Sequence, residues 1–289
     1  MSNLSAVKFT KVNILEFSLL VWLSSLTAGF LGSLTGLGGG VVIVPLLTVV
    51  FGVDIRYAIG ASLVSVIATS SGAASAYVKE GYTNMHLGMF LEVATTFGAI
   101  VGAIVAGMVS NRAIAIVFGV VLLYSAYVSR QHRVEHLDNE PPDRLATVLQ
   151  LNGSYPTPDG EKSYNVRAVP VGFGLMFVAG ILSGLLGIGS GAVKVLAMDQ
   201  AMRIPFKVST TTSNFMIGVT AAASAGVYLK RGYIDPGLAM PVMLGVLLGA
   251  LLGARVLVRA RIGLLRIIFS LVILALAIEM IYKGLTGGI

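Results

Sequence analysis

The sequence predicts an all-α fold, a polytopic membrane bundle of about 8–10 helical segments in two inverted-topology repeats of five segments each. Three observations lead to this prediction: the composition, the length of the apolar runs, and a similarity between the two halves of the chain. Of the 289 residues, 56% are hydrophobic and 11% are charged, whereas a soluble domain carries about 25% charged residues. The mean hydropathy of +0.88 leaves too little polar surface for a protein that faces water on all sides.

The apolar runs are long enough to cross a bilayer. Residues 14–53 contain one ionisable side chain, Glu16, and comparable runs cover 57–78, 87–111, 168–193, 208–229 and 236–254. A hydrocarbon core of about 30 Å needs about 20 apolar residues per spanning helix. We therefore expect these runs to span a membrane rather than to form the buried core helices of a soluble protein.

The second half of the chain resembles the first at a shift of 151 residues, without gaps. The shift superimposes glycines, a Lys-x-Gly-Tyr turn and hydroxyl residues: Gly36, Gly38 and Gly40 on Gly187, Gly189 and Gly191, Lys79 and Tyr82 on Lys230 and Tyr233, and Ser62 and Thr69 on Ser213 and Thr220. Matches at Lys, Tyr and Ser are not expected from an apolar composition alone. The self-similarity therefore predicts an internal duplication.

Breaker residues divide each half into five segments. The predicted segments are 14–35, 41–53, 55–78, 85–109 and 112–129 in the first half, and 168–186, 192–203, 206–229, 236–258 and 262–283 in the second. Because five is an odd number, the second half should be inverted relative to the first, as in many secondary transporters. The short segments 41–53 and 192–203 either span the membrane or re-enter it, and the inversion holds in both cases.

The predicted organisation is a first transmembrane repeat at 1–129, a hydrophilic connector at 130–167 and a second transmembrane repeat at 168–289. Charged residues followed by a Gly, Pro and Ser stretch predict a solvated connector, with room for a short helix at 143–151. Lys and Arg are more numerous on the connector's side of the membrane, which also carries Arg255, Arg259, Arg261 and Arg266. The positive-inside rule then predicts that the connector of this multi-pass membrane protein lies in the cytoplasm.

Several classes of function have no support in the sequence. The chain has no cysteine, and its three histidines, His86, His132 and His136, lack the spacing of metal ligands, so we expect neither a metal nor another cofactor. There is no phosphate-binding loop for an ATP-driven pump. No histidine of a second-half span accompanies Ser190, so an intramembrane serine protease is not supported and we expect no enzyme activity. The net charge of +7 is attributed to topology signals rather than to binding of nucleic acid.

Paired glycine runs interrupt the apolar sequence at corresponding positions of the two halves. They are Gly36-Leu-Gly-Gly-Gly40 and Gly187-Ile-Gly-Ser-Gly191. Such interruptions are the best sequence indication of a transporter's binding site, and the helix that follows each one presents free N–H groups suited to an anion. The alternative is a tight turn or close helix packing. The candidate substrate-binding residues here are Gly36, Gly38, Gly39, Gly40, Gly187, Gly189, Ser190 and Gly191.

Lys194 lies three residues beyond Gly191, between Val193 and Val195. A cation within an apolar membrane segment is costly and indicates a functional site. Its repeat equivalent is Ile43, so the charge occurs in one half only. The alternatives are snorkelling to an interface or an ion pair with Asp199. Lys194 is therefore a candidate substrate ligand.

Hydroxyl residues supply further candidates. A succession from Ser209 to Asn214 in one half, and Ser62 in the other, can donate hydrogen bonds to an oxyanion without a full charge. We select Ser62, Thr211, Ser213 and Asn214, although interhelical hydrogen bonds would also explain them. Glu92 lies within an apolar segment, where its carboxylate is a candidate coupling group for a proton or sodium ion, or snorkels to an interface.

These motifs resemble the sulfite exporter TauE/SafE family. The resemblance lies in Gly32-Ser-Leu-Thr-Gly-Leu-Gly-Gly-Gly40 with the following Val-Val-Ile-Val-Pro45, in Ala58-Ile-Gly-Ala-Ser62, in the Lys79 to Tyr82 turn, and in Gly184-Leu-Leu-Gly-Ile-Gly-Ser-Gly191. It implies an inner-membrane transporter for sulfite, a sulfonate or another small, sulfur-containing organic anion. The connector is longer and more hydrophilic than is usual in that family.

The sequence thus leads to a functional hypothesis: a secondary transporter that moves a small anion by alternating access, driven by an ion gradient. The expected partners are the anion, a coupling ion and the lipid bilayer. An anion channel with the same site but without coupling is the alternative.

Overall fold

The computed structural model describes residues 13–35, 39–79, 81–130, 143–157, 160–257 and 262–288. In these ranges the chain forms eleven α-helices and one β-hairpin. The first-half helices are α1 (Ile14–Thr35), α2 (Gly40–Pro45), α3 (Ile55–Lys79), α4 (Met85–Ala106) and α5 (Asn111–Arg130). The connector contributes α6 (Arg144–Val148), β1 (Gly153–Thr157) and β2 (Gly160–Tyr164), and the second half contributes α7 (Val169–Leu186), α8 (Gly191–Leu196), α9 (Phe206–Lys230), α10 (Pro236–Leu257) and α11 (Ile262–Thr286).

Four helical stretches of the described chain are long and apolar enough to cross a membrane: Leu15–Gly32, Met85–Ala106, Val169–Leu186 and Pro236–Gly253. Shorter apolar stretches at Gly40–Val50, Ile55–Ser71 and Asn111–Tyr127 accompany them. Their lipid-facing side chains are large and apolar, for example Val93, Phe97 and Leu251, which are all exposed. The prediction of an all-α membrane bundle is confirmed.

Most helices of the second half begin and end where a shift of 151 residues places those of the first, except that α7 begins four residues later and α11 ends five residues later. Residues 55–79 of α3 correspond to 206–230 of α9, and α2 and α8 each continue into one π-helical turn, Leu46–Val50 and Ala197–Ala201. The packing is exchanged between the halves, because α1 lies against α10 while its equivalent α7 lies against α4. The equivalent helices α3 and α9 pack on each other at the centre.

The two central helices, α3 and α9, run in opposite directions. The guanidinium of Arg56, at the start of α3, lies 5.6 Å from the ring centroid of Tyr233, which follows α9. At the other end, the ammonium of Lys207, at the start of α9, lies 5.3 Å from the ring centroid of Tyr82, which follows α3. The two cation–π pairs are repeat equivalents. Antiparallel equivalents are what an inverted repeat requires, and the side of the membrane that each end faces stays a prediction.

From residue 143 on, the structure corrects the expectation of a solvated connector, while its charged stretch at 131–142 lies outside the described residues. The short predicted helix at 143–151 is present as α6, but it is followed by a hairpin in which Gly153 pairs with Tyr164 and Thr157 with Gly160. Ala146, Leu151, Tyr155 and Val166 are buried in a cluster that includes side chains of α4, α7 and α9. Burial of these apolar groups stabilises the docked connector, so this part of the chain belongs to the folded body.

Asn84 fixes the connector to the bundle. Its side-chain amide donates hydrogen bonds to the carbonyl oxygen of Leu151 and to the hydroxyl of Tyr164, both at 2.8 Å. The side-chain oxygen of the same residue accepts from the Leu87 N–H at 3.0 Å and so caps α4. The first turn of α4 and the hairpin are therefore positioned by one side chain.

Candidate functional site

The two glycine breaks meet against the central helices. The hydroxyl of Ser62 in α3 donates a hydrogen bond of 2.8 Å to the carbonyl oxygen of Gly187. A methyl group at Gly40 would lie 2.7 Å from Ser62 Oγ and 3.2 Å from the Gly187 carbonyl oxygen. Glycine is thus required at this position by close approach rather than by backbone conformation. The structure brings the predicted residues Gly40, Ser62 and Gly187 together, whereas Gly36 and Gly38 lie outside the described residues.

The second-half break has an unusual backbone. Gly187, Gly189 and Ser190 all have positive φ, at 68°, 66° and 46°. The left-handed region is costly for a residue with a Cβ, yet the repeat equivalent of Ser190 is Gly39, whose φ is −63°. Ser190 therefore has the left-handed backbone that glycine tolerates best, whereas its equivalent Gly39 has a helical backbone. Strain of this kind persists where the surroundings enforce it, often at functional sites.

Ser190 also has a buried hydroxyl without a partner in the described part of the chain. Its side chain is 2% exposed, and Oγ makes no hydrogen bond there. A buried hydroxyl without a partner is destabilising by about 1–3 kcal/mol. The hydroxyl is thus available to a bound molecule.

Lys194 is completely buried, one turn beyond Gly191 on α8. Its ammonium nitrogen donates to Thr220 Oγ1 at 2.5 Å and lies 3.8 Å from Glu92 Oε2. The snorkelling alternative is therefore wrong for Lys194. The ion pair that the structure forms is with Glu92 of α4, whereas sequence proximity had suggested Asp199.

Glu92 is held by three threonine hydroxyls. Oε1 accepts from Thr220 at 2.7 Å and from Thr96 at 3.1 Å, and Oε2 accepts from Thr95 at 2.9 Å. The side chain is buried about 10 Å along α4 from its first residue, at 1.5 Å per residue. Glu92 does not snorkel. An ion pair at this depth is tolerated only when hydrogen bonds satisfy the remaining polar atoms, and the threonines do this.

The pair of Lys194 and Glu92 is not repeated at the positions that the 151-residue shift relates to it. The positions that correspond to Lys194 and Glu92 are Ile43 of the first half and Met243 of the second, so both carry apolar side chains. The cluster adjoins the glycine breaks through α9. Ile217 lies 2.7 Å from a methyl group placed on Gly189 and 2.8 Å from one placed on Gly191, and Thr220 follows one turn later. The glycine break and the ion pair are therefore neighbours on α9, separated by about one helical turn.

The hydroxyl candidates of α9 are divided by position. Ser213 Oγ lies 3.4 Å from the Gly191 carbonyl oxygen and belongs to the break. Thr211 donates to the Tyr82 carbonyl oxygen at 3.0 Å and lies about 13 Å along the helix from Thr220, so the structure does not bring it to Lys194. Asn214 is half-buried.

The roles of Thr95 and Thr96 and the pairing of Glu92 with Lys194 were not predicted from the sequence. A usable signal was present, because these residues are opposite charges within apolar segments of a single bundle, and such charges require compensation. Nothing in the sequence around Thr95 and Thr96 indicates a site, because they act only as hydrogen-bond donors to the nearby Glu92 carboxylate.

Comparison with known proteins supplies independent information. The family model for the sulfite exporter TauE/SafE matches residues 21–280. The chain is 29% identical over 279 residues to the probable membrane transporter protein YunE of Bacillus subtilis, covering 94% of this chain and 99% of that protein. It is 26% identical over 260 residues to a probable membrane transporter protein of Xylella fastidiosa, covering 89% and 92%. A further relative, 26% identical over 235 residues and covering 76% and 78%, is a probable membrane transporter protein of Methanocaldococcus jannaschii. No solved structure matches the chain.

Proposed function

The chain belongs to the sulfite exporter TauE/SafE family of membrane transporters, and on that premise we propose that it is a secondary transporter that moves a small anion across the membrane. The observation that carries the proposal is Lys194. It is a fully buried cation in an apolar bundle, beside a broken helix. A buried charge in a membrane protein marks a substrate or ion pathway by default.

The proposed binding site consists of Lys194 and the groups of the two breaks. The Lys194 ammonium supplies the positive charge, and the Ser190 hydroxyl supplies a donor that has no partner within the described chain. Ser62, Ser213, Gly39, Gly40, Gly189 and Gly191 shape the backbone around it. The site then lies where the halves touch, so that one substrate contacts both.

Sulfite, a sulfonate or another sulfur-containing organic anion is the proposed substrate. The support is the name of the matching family, together with the chemistry of the site. Each of these anions presents several oxygen atoms on one sulfur atom, and such oxygens accept hydrogen bonds from hydroxyl and ammonium donors at once. A simple halide would use fewer of these donors.

Alternating access between the halves, driven by an ion gradient, is the proposed mechanism. The support is the exchanged packing of α1 on α10 and α7 on α4, which gives the bundle two equivalent interfaces around one site. Transporters built from inverted repeats rock one part against the other around a fixed site. The connector, docked at the α4 end, is proposed to face the cytoplasm.

A flux measurement separates this proposal from an uncoupled anion channel. Purified protein in proteoliposomes should take up labelled sulfite or a sulfonate with a rate that saturates with anion concentration. The rate should also rise when a proton or sodium gradient is imposed. A rate that grows without saturation and ignores both gradients would establish the channel instead.

A further inference from the structure

The Glu92 carboxylate occupies the place that an anion would take beside Lys194. It is itself a small oxyanion, 3.8 Å from the ammonium nitrogen and surrounded by hydroxyl donors. We propose that Glu92 is a built-in competitor of the substrate, and that a proton bound to Glu92 releases Lys194 to the transported anion. This inference rests on the proposed function, and it names the proton as the coupling ion.

Charge balance in the buried site gives the physical reason. In the structure one ammonium faces one carboxylate, so the net charge of the pair is zero. A monoanion that entered beside an ionised Glu92 would leave an uncompensated negative charge in an apolar environment, which is strongly unfavourable. A proton on Glu92 restores neutrality. The site therefore has two low-energy states. In one, ionised Glu92 pairs with Lys194 and no anion is bound. In the other, Glu92 carries a proton and Lys194 pairs with the anion.

The threonines around Glu92 fit both states. A threonine hydroxyl is a donor and an acceptor, so the hydroxyls of Thr95 and Thr96, which now donate to the carboxylate, can rotate to accept from the protonated form. Thr220 lies between the two charges, accepting from Lys194 and donating to Glu92 Oε1. Protonation of Glu92 therefore weakens its attraction for Lys194, while the Glu92 carboxyl group keeps its hydrogen-bond partners.

Within the described chain, Lys194 is the charged side chain that faces Glu92 from the helices packed around it. α7 has no titratable residue in its sequence. On α9, Lys207 lies over Tyr82, Tyr228 donates to the Gly184 carbonyl oxygen, and Lys230 is exposed at the helix end. On α4, His86 is exposed in the first turn. Asp199, in the turn after α8, is buried and has interactions of its own.

The first test counts protons on the unmodified protein. Isethionate is a suitable probe because a sulfonate stays ionised across the assay range. On adding it to detergent-solubilised protein in weak buffer, we expect uptake of up to one proton per bound anion, reported by a pH dye. The apparent dissociation constant should rise by up to about tenfold per pH unit where the empty site is ionised. Binding without proton uptake would overturn the proposal.

The second test uses Glu92→Gln, whose side-chain amide is neutral at every pH and so mimics protonated Glu92. In proteoliposomes this variant should exchange isethionate across the membrane and bind it with a pH-independent affinity. An imposed pH gradient, which accelerates uptake by the unmodified protein, should no longer drive it. Glu279→Gln is the matched control, because it removes a half-buried acid from another membrane helix, α11, and should stay gradient-driven.

The outcomes distinguish this inference from the proposed function. If the unmodified protein shows no saturable flux of isethionate, sulfite or any other anion of a sulfonate and carboxylate panel, the proposed function fails and this inference with it. If the flux saturates but ignores the pH gradient, or if Glu92→Gln is still driven by it, the inference alone fails. A Glu92→Gln protein that is monodisperse, melts cooperatively and binds no anion also contradicts the inference.

Discussion

The hydroxyl of Ser62 in the first half donates a 2.8 Å hydrogen bond to the carbonyl oxygen of Gly187 in the second. This bond joins α3 to the second glycine break, and the same hydroxyl lies 2.7 Å from a methyl group placed on Gly40 of the first break. A carbonyl at the end of a helix has lost its own helical partner, and here it finds one in the other repeat. The contact ties the geometry of one break to that of the other.

Ser62→Ala should therefore destabilise the bundle. The change leaves a buried carbonyl without this donor, and the expected loss is about 1–3 kcal/mol of unfolding free energy. Thermal or denaturant unfolding in detergent measures it. Ser71→Ala is the matched control, since Ser71 is exposed and bonds within its own helix, and an equal loss in both variants would contradict the role of Ser62.

Gly189→Ala should destabilise more than a typical glycine substitution. Gly189 has φ of 66°, and a methyl group there would lie 2.7 Å from Ile217 Cγ2. Left-handed backbone strain and overpacking add to about 2–5 kcal/mol. Gly174→Ala provides the comparison, because nothing lies within 4 Å of its added methyl group. Equal melting temperatures for the two variants would show that the break is not rigid.

The Lys194–Glu92 pair should show strong coupling in a double-mutant cycle. Lys194→Met leaves a buried carboxylate without its cation, and the expected loss is about 3–5 kcal/mol. Removing the acid as well, in Lys194→Met with Glu92→Gln, should restore part of that stability. Unfolding measurements on the singles and the double give the interaction energy, and additive losses would mean that the two side chains do not interact.

Tyr164 provides a pH-dependent test of the docked connector. Burial raises the pKa of Tyr164 to about 12, against the hydrogen bond from Asn84, which lowers it. The folded state thus favours the neutral phenol. Its contribution to stability is complete below pH 10, the ordinary tyrosine pKa, and is lost as the pH rises from there through about 12.

An absorbance titration at 295 nm measures this ionisation. The difference between the unmodified protein and Tyr164→Phe should isolate one tyrosine that ionises near pH 12. A difference midpoint near pH 10 would indicate that the hairpin is undocked and that Tyr164 is in water.

The helical layout could be predicted closely from the sequence, because Gly, Pro and Asp residues mark the ends of apolar runs. The segments predicted at 55–78 and 206–229 are observed at Ile55–Lys79 and Phe206–Lys230. Because the two halves are similar in sequence, the bounds of each helix could be predicted from both halves. Apolar periodicity was not needed, since a helix in lipid is apolar on most of its surface.

The connector could not be predicted in the same way. Its hairpin is polar and contains Pro156, and its buried side chains, such as Tyr155, become recognisable only through the helices beneath them. The Asp159-Gly160 pair is a hairpin signal that the general polarity of the segment concealed.

The site was predictable in its parts but not in its pairing. Lys194, Glu92 and the glycine breaks each stand out as exceptions to an apolar pattern. Their association depends on the packing of α9 against α4 and of α8 against α9, and a single sequence carries no information on such contacts. The left-handed conformation of Ser190 could not be predicted either, because a left-handed backbone is expected at its neighbours Gly189 and Gly191 rather than at a serine.

Ligand-induced thermal stabilisation measures whether anion binding depends on Lys194. The unmodified protein, Lys194→Met and the exposed-lysine control Lys230→Met would each be melted in detergent with sulfite, sulfonates, thiosulfate and carboxylates. We predict that at least one of these anions raises the melting temperature of the unmodified protein and of Lys230→Met, and that the rise is lost in Lys194→Met. An equal rise in Lys194→Met, at the same anion concentration, would contradict it.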